Sequence, residues 1–88
     1  MLVRYYAAAC SAAGLAEEQF QLGENATVAD LLKAILSMER PKPPEGTPPL
    51  RQILSRSSFL LNEVAVRDHS IIVRVGDVVD VLPPFAGG

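Results

Sequence analysis

The chain has 88 residues, 49% of them apolar and 20% charged, with a formal net charge of −2. That length supports one hydrophobic core and no second domain, and the balance excludes a wholly disordered chain. The arginines are scattered rather than clustered, which argues against nucleic acid, and no apolar run is long enough to span a membrane. Cys10 is the single cysteine, so neither an internal disulfide nor a Cys-pair metal or redox motif can form, and a reducing, cytoplasmic setting is expected.

In chain order, Leu2-Val3-Arg4-Tyr5-Tyr6 is β-branched and aromatic and predicts a first strand in the middle of a sheet. The alanine run from Ala7 to Ala13 predicts a short helix or turn stopped by Gly14. Cys10 within it reads as a small packed residue rather than a reactive thiol. Glu17 to Leu22 alternates, Phe20 and Leu22 against Gln19 and Gln21, and predicts a half-buried strand that pairs back on the first.

Thr27 followed by Asp30 marks a helix start, and Val28, Leu31, Leu32, Ile35 and Met38 recur at helical spacing. Such a stripe is a core face covering one small sheet. Between Arg40 and Pro49 stand five prolines and Gly46, which predict an exposed, stiff connection without helix or central strand. A proline-rich docking ligand is the lesser reading of the same segment. Leu50 to Leu54 suggests one helical turn. Ser58 to Leu61 and Val64 to Val66 predict short strands around an Asn62-Glu63 turn.

Asp68-His69-Ser70 reads as a turn, and His69 has no companion at metal-ligand spacing. Ile71 to Val75 is apolar enough for another strand or a buried crossing. Gly76-Asp77 then turns into a last strand, Val78 to Leu82, in which Val79 and Val81 face the core while Val78, Asp80 and Leu82 face away. Leu60, Leu82 and Phe85 are candidate exposed anchors for a docking partner. A core-capping role for Leu82 is nearly as well supported.

The final residues are Pro83-Pro84-Phe85-Ala86-Gly87-Gly88. Tandem prolines hold a chain extended, and paired glycines without a Cβ can enter a channel too narrow for a side chain. Fully extended, this tail reaches roughly 20 Å at about 3.3 Å per residue. No Ser-His-Asp set, Cys-His pair or phosphate-binding glycine loop is visible, so nothing in the chain suggests an enzyme acting alone.

The element order predicts an α+β fold, a roll with one main helix on a mixed sheet of four to five strands. It resembles the β-grasp of ubiquitin-like proteins, with residues 1–82 as the domain and 83–88 as an extended tail. The resemblance is sharpest at Val3-Arg4-Tyr5-Tyr6-Ala7-Ala8-Ala9, at the helix opening Ala26-Thr27-Val28-Ala29-Asp30-Leu31-Leu32, and from Gly76-Asp77 to Leu82-Pro83-Pro84-Phe85-Ala86-Gly87-Gly88. There the chain is similar to the MoaD-type sulfur carriers, the small subunits of molybdopterin synthase.

That resemblance implies that Gly88 is adenylated by an E1-like activating enzyme using ATP and then becomes a thiocarboxylate with sulfur from a donor protein. Pro83, Pro84, Phe85, Ala86 and Gly87 would thread the tail into a large synthase subunit, expected as a heterotetramer, where sulfur passes to a cyclic pterin precursor. It implies no bound cofactor, no metal, no nucleic acid and no membrane. Three other readings share parts of the pattern: a thiamine-type sulfur carrier, a ubiquitin-like protein modifier, and a noncovalent binding module with an inert terminus.

Overall fold

The computed structural model describes residues 1–84. Its organising element is a valine-rich strand, β5 (Val78–Leu82), which occupies the middle of a five-stranded sheet. On one side it pairs in parallel with β1 (Leu2–Tyr5), whose outer neighbour is the antiparallel β2 (Glu17–Gln19). On the other it pairs antiparallel with β3 (Ser58–Leu61), which carries the edge strand β4 (Val64–Ala65). The spatial order is β2-β1-β5-β3-β4. Three helices complete the described residues: α1 (Ala8–Ala13), α2 (Val28–Ser37) and α3 (Leu50–Arg56).

The period-two alternation of the strands decides which side is core. Val3, Tyr5, Phe59, Val79 and Val81 share one face and are all buried, together with Val28, Leu31 and Ile35 of α2. Burying side chains of this size contributes about 1.5–3 kcal/mol each, so this layer supplies most of the cohesion of so small a domain. The opposite face carries Leu2, Arg4, Leu60, Val78, Asp80 and Leu82.

α2 starts where expected because Thr27 and Asp30 form a reciprocal capping box. The Asp30 amide donates to Thr27 Oγ1 at 3.2 Å, and the Thr27 amide donates to Asp30 Oδ2 at 3.0 Å. The next free amides of the helix start donate to a distant segment, Val28 to the Ile71 carbonyl and Ala29 to the His69 carbonyl. This explains one correction. Ile71 to Val75 is not a strand, because its backbone is engaged in strapping the α2 N-terminus, with a single bridge from Thr27 to Ile72 and an amide of Val73 donating to Ala26. Only Val73 of this segment is buried, and Val75 is fully outside the core at 89% exposure.

Two further expectations change in detail. β2 ends at Gln19 rather than Leu22, because β1 begins at Leu2 and only Met1 remains to pair with Phe20: the Phe20 amide donates to the Met1 carbonyl and the Met1 ammonium to the Phe20 carbonyl, both at 2.9 Å. Met38 leaves the core stripe at 46% exposure, since α2 stops at Ser37 and Met38 is extended, with Pro41 close ahead. The short alanine helix, its left-handed Gly14 stop and the unstructured proline-rich connection are as expected, and α3 extends the single expected turn to seven residues. Among the described residues no helix is long and apolar enough to cross a membrane.

A latch closes the base of the proline-rich connection. Arg40 donates from Nη1 and Nη2 to both carboxylate oxygens of Glu18, and also to the carbonyls of Ala13 and Ile35. Tyr5 Oη donates to Glu18 Oε1 at 2.8 Å, and the guanidinium lies 5.8 Å from the Tyr5 ring centroid. Burial, with the Glu18 hydrogen bond added, pushes the Tyr5 phenol well above its ordinary pKa. Burial opposes the charge of Arg40, but the Glu18 and Tyr5 contacts together outweigh it and the pKa of Arg40 rises. One side chain thereby ties together β1, β2, α1 and α2.

Candidate functional site: the open sheet face and the root of the tail

β5 ends at Leu82 and continues directly into Pro83 and Pro84. The root of the tail is therefore held by ladder bonds to β1 and β3 on both sides, and the prolines prolong that direction. Of the predicted tail residues, Pro83 is half-buried and Pro84 exposed, while Phe85, Ala86, Gly87 and Gly88 lie outside the described residues.

The sheet register brings Leu60 and Leu82 onto the same open face. Leu60 stands opposite Asp80, and Leu82 follows two residues along β5, opposite Ser58. Both are half-buried, and Phe59 points into the core, as the alternation requires. Leu82 also lines a groove of about 540 Å³ beside the tail root, with Tyr6, Arg56, Ser58, Pro83 and Pro84. A more voluminous groove, about 700 Å³, lies at the other end of β5 around Met1, Gln19, Val75 and Gly76, away from the tail.

The rim of the tail-root groove contains a strained residue. Ala7 has φ 50° and ψ −127°, and the Ala9 amide donates to the Tyr6 carbonyl across it at 3.0 Å. This is the first central position of a type II′ turn, where glycine is normally found.

At the middle of the open face lies a feature that residue-by-residue reading did not single out. Arg4 Nε donates to Asp80 Oδ1 and Arg4 Nη2 to Asp80 Oδ2, the latter at 2.9 Å, a bidentate ion pair joining β1 to β5. Asp80 is the one buried charged residue among the described residues. The signal was present: a carboxylate inside a valine-rich central strand requires a cation, and the parallel register places Arg4 opposite it.

Among the described residues no three His, Cys, Asp or Glu side chains converge as metal ligands. His69 is exposed and packs its ring edge-on against Phe59, with centroids 5.5 Å apart. Cys10 is half-buried against the core from α1.

The second anchor of the arrangement is the start of β5. Asn62 accepts from the Val78 amide at 2.9 Å and donates to Asp77 Oδ1 at 3.0 Å, so the hairpin between β3 and β4 holds the Gly76-Asp77 turn. Asn62 and Glu63 both take positive φ, 50° and 70°, as a type I′ hairpin demands.

A five-stranded mixed sheet with its helices on one side, a bare opposite face and a tail leaving the central strand defines a ubiquitin-like β-grasp domain. Comparison with known proteins agrees and narrows it. The ThiS family model matches residues 3–88, and the chain belongs to that family. A curated relative, the molybdopterin synthase sulfur carrier subunit of Chlamydomonas reinhardtii, is 32% identical over 98% of this chain and 95% of its own length. Among solved structures, SAMP1 of Haloferax volcanii superimposes with a TM-score of 0.78 at 21% identity, covering 99% of this chain and 97% of that one, a likeness of fold. The complex of subunits 1 and 2 of molybdopterin-converting factor from Helicobacter pylori contains a chain with TM-score 0.58 and 25% identity, covering 99% of this chain and 96% of that one.

Proposed function

We propose that this chain is the sulfur-carrier small subunit of a molybdopterin synthase, acting in molybdenum cofactor biosynthesis and contributing no catalytic groups of its own. The observation that carries the reading is that the family match runs through residue 88, so the Gly-Gly end belongs to the matched domain. The choice of the molybdopterin branch rests on the Chlamydomonas relative and the Helicobacter complex.

In this reading the Gly88 carboxylate attacks the α-phosphate of ATP on an E1-like activating enzyme and releases pyrophosphate. The resulting acyl adenylate is a far better electrophile than a carboxylate: a persulfide of the donor protein attacks it and AMP departs, and a thiol then cleaves the S–S bond of the acyl disulfide, releasing the thiocarboxylate and leaving a disulfide. The tail then enters the large synthase subunit, where the thiocarboxylate sulfur attacks a carbon of a cyclic pterin precursor and displaces an oxygen substituent from it. Hydrolysis of the acyl–sulfur bond by water returns Gly88 to a carboxylate. Gly87 and Ala86 keep the approach narrow, Pro83 and Pro84 stiffen it, and Leu60, Leu82 and Phe85 are docking anchors beside it.

A carrier of this kind places its reacting atom at the chain end and leaves nucleotide and acid–base chemistry to its partners. The sheet face beside the tail is then the surface that a large subunit and an activating enzyme would each cover. The carrier has no resident cofactor, and its work is cytoplasmic. Deleting Gly88, or adding one residue after it, is expected to abolish sulfur transfer while leaving the circular dichroism spectrum and melting curve unchanged. Normal molybdopterin formation by either variant in a reconstituted synthase assay would overturn the assignment.

A further inference from the structure

On the open face, Asp80 stands at the centre of a cross. Arg4 and Leu60 flank it on the neighbouring strands, and Val78 and Leu82 stand before and after it on β5. Leu2 completes the apolar surround opposite Val78. The two halves of the ion pair are unequally covered: the Asp80 side chain is 6% exposed and that of Arg4 is 32% exposed. Both carboxylate oxygens are taken up by Arg4, through Nε and Nη2. Nη1 of Arg4 makes no hydrogen bond among the described residues, and Glu17, its register partner on β2, forms no ion pair with it. What the centre of this face offers to a partner is therefore a guanidinium edge, which can only donate, set among half-buried leucine and valine side chains and bordered on β2 by the exposed Glu17 and Gln19.

We propose that Arg4, oriented by Asp80, is a specificity determinant for docking of the large synthase subunit. The surface covering this face is apolar and carries one hydrogen-bond acceptor, a carboxylate or carbonyl oxygen, opposite Nη1 of Arg4. The inference rests on the sulfur-carrier reading and names the chemistry of its partner surface. A wholly apolar partner would bury the remaining guanidinium donors without acceptors, and unpaired buried donors select against such surfaces. Leu82 makes the link to the tail, because it belongs both to this face and to the tail-root groove. A partner seated over Arg4 is thereby aligned with the chain that it must admit.

The test compares binding of the large synthase subunit, by titration calorimetry, to the wild-type chain and two paired variants. In R4D with D80R the ion pair is kept but the outward group becomes an acceptor. In R4L with D80V the pair is replaced by side chains suited to an apolar layer, which secures a folded comparison if the exchanged pair fails to fold. Thermal melting reads the fold in each case. Loss of a hydrogen bond to a charged group predicts about 10- to 100-fold weaker binding by both variants. Binding of R4L with D80V as tight as wild type, or tighter, would overturn the proposal and leave the carrier reading intact. A wild-type chain that neither binds the large subunit nor acquires a thiocarboxylate would overturn both.

Discussion

The two ion pairs among the described residues look alike on paper and do opposite things. Arg40–Glu18 is sealed, with the side chains 11% and 13% exposed and four hydrogen bonds directed into the protein's own carboxylate and carbonyl oxygens. Arg4–Asp80 covers its acid and leaves its base partly in solvent on the bare sheet face. Pairing geometry alone does not separate a structural contact from a recognition surface. The direction of the unused donors does, because a donor facing solvent is available to a partner and one enclosed by backbone is not.

The largest expected effect breaks the sealed pair. Arg40→Ala leaves the Glu18 carboxylate and the Ala13 and Ile35 carbonyls short of a partner, and should cost about 3 kcal/mol in urea unfolding, the range for removing one member of a buried pair. Affinity for the large subunit, measured under conditions where the variant is folded, should be unchanged. Arg4→Ala should also destabilise, because it strips the buried Asp80 carboxylate of its donors, but unlike Arg40→Ala it should bring a clear loss of docking. Equal effects of both substitutions on docking would erase the distinction.

The hairpin at Asn62 and Glu63 sharpens the same comparison from a third place. Glu63 holds φ 70° without the glycine that a type I′ turn favours. Glu63→Gly should raise stability by about 1 kcal/mol, because an L-residue in the left-handed region carries a penalty of that order. It should leave docking unaltered, since the turn lies at the end of β5 away from the tail. A fall in the unfolding midpoint would show that Glu63 makes a contact worth more than the strain.

The smallest expected effect is on acid stability. Hydrogen bonds from the Thr27 backbone, the Ser70 backbone and the Asn62 side chain hold Asp30, Asp68 and Asp77 respectively below the usual carboxylate range. A carboxyl whose folded pKa is depressed contributes stability that is complete above its unfolded value, about 3.9, and is lost as pH falls through the folded value. The melting temperature should be flat above that pH and decline below it. Asp77→Asn should blunt the decline.

Periodicity made the sheet and its inner face legible. The alternation of Val78 to Leu82 identified Val79 and Val81 as core, and Thr27 with Asp30 located the start of α2. What stayed hidden depended on contacts distant in sequence. Ile71 to Val75 has a strand's composition, but its backbone is consumed by the α2 N-terminus, which local pattern cannot reveal. The partnership of Arg4 with Asp80 spans almost the whole chain and follows only from a parallel β1–β5 register. Leu60 and Leu82 were legible as outward residues, and their convergence around that pair was not.

The central claim concerns the chain end, and one measurement addresses it most directly. The protein is incubated with its E1-like activating enzyme, ATP and a sulfur donor, and intact and C-terminal peptide masses are recorded. The account predicts a gain equal to one oxygen-to-sulfur exchange, confined to the peptide ending in Gly88. Sulfur found only on Cys10, or no mass change while the activating enzyme turns over ATP, would contradict it.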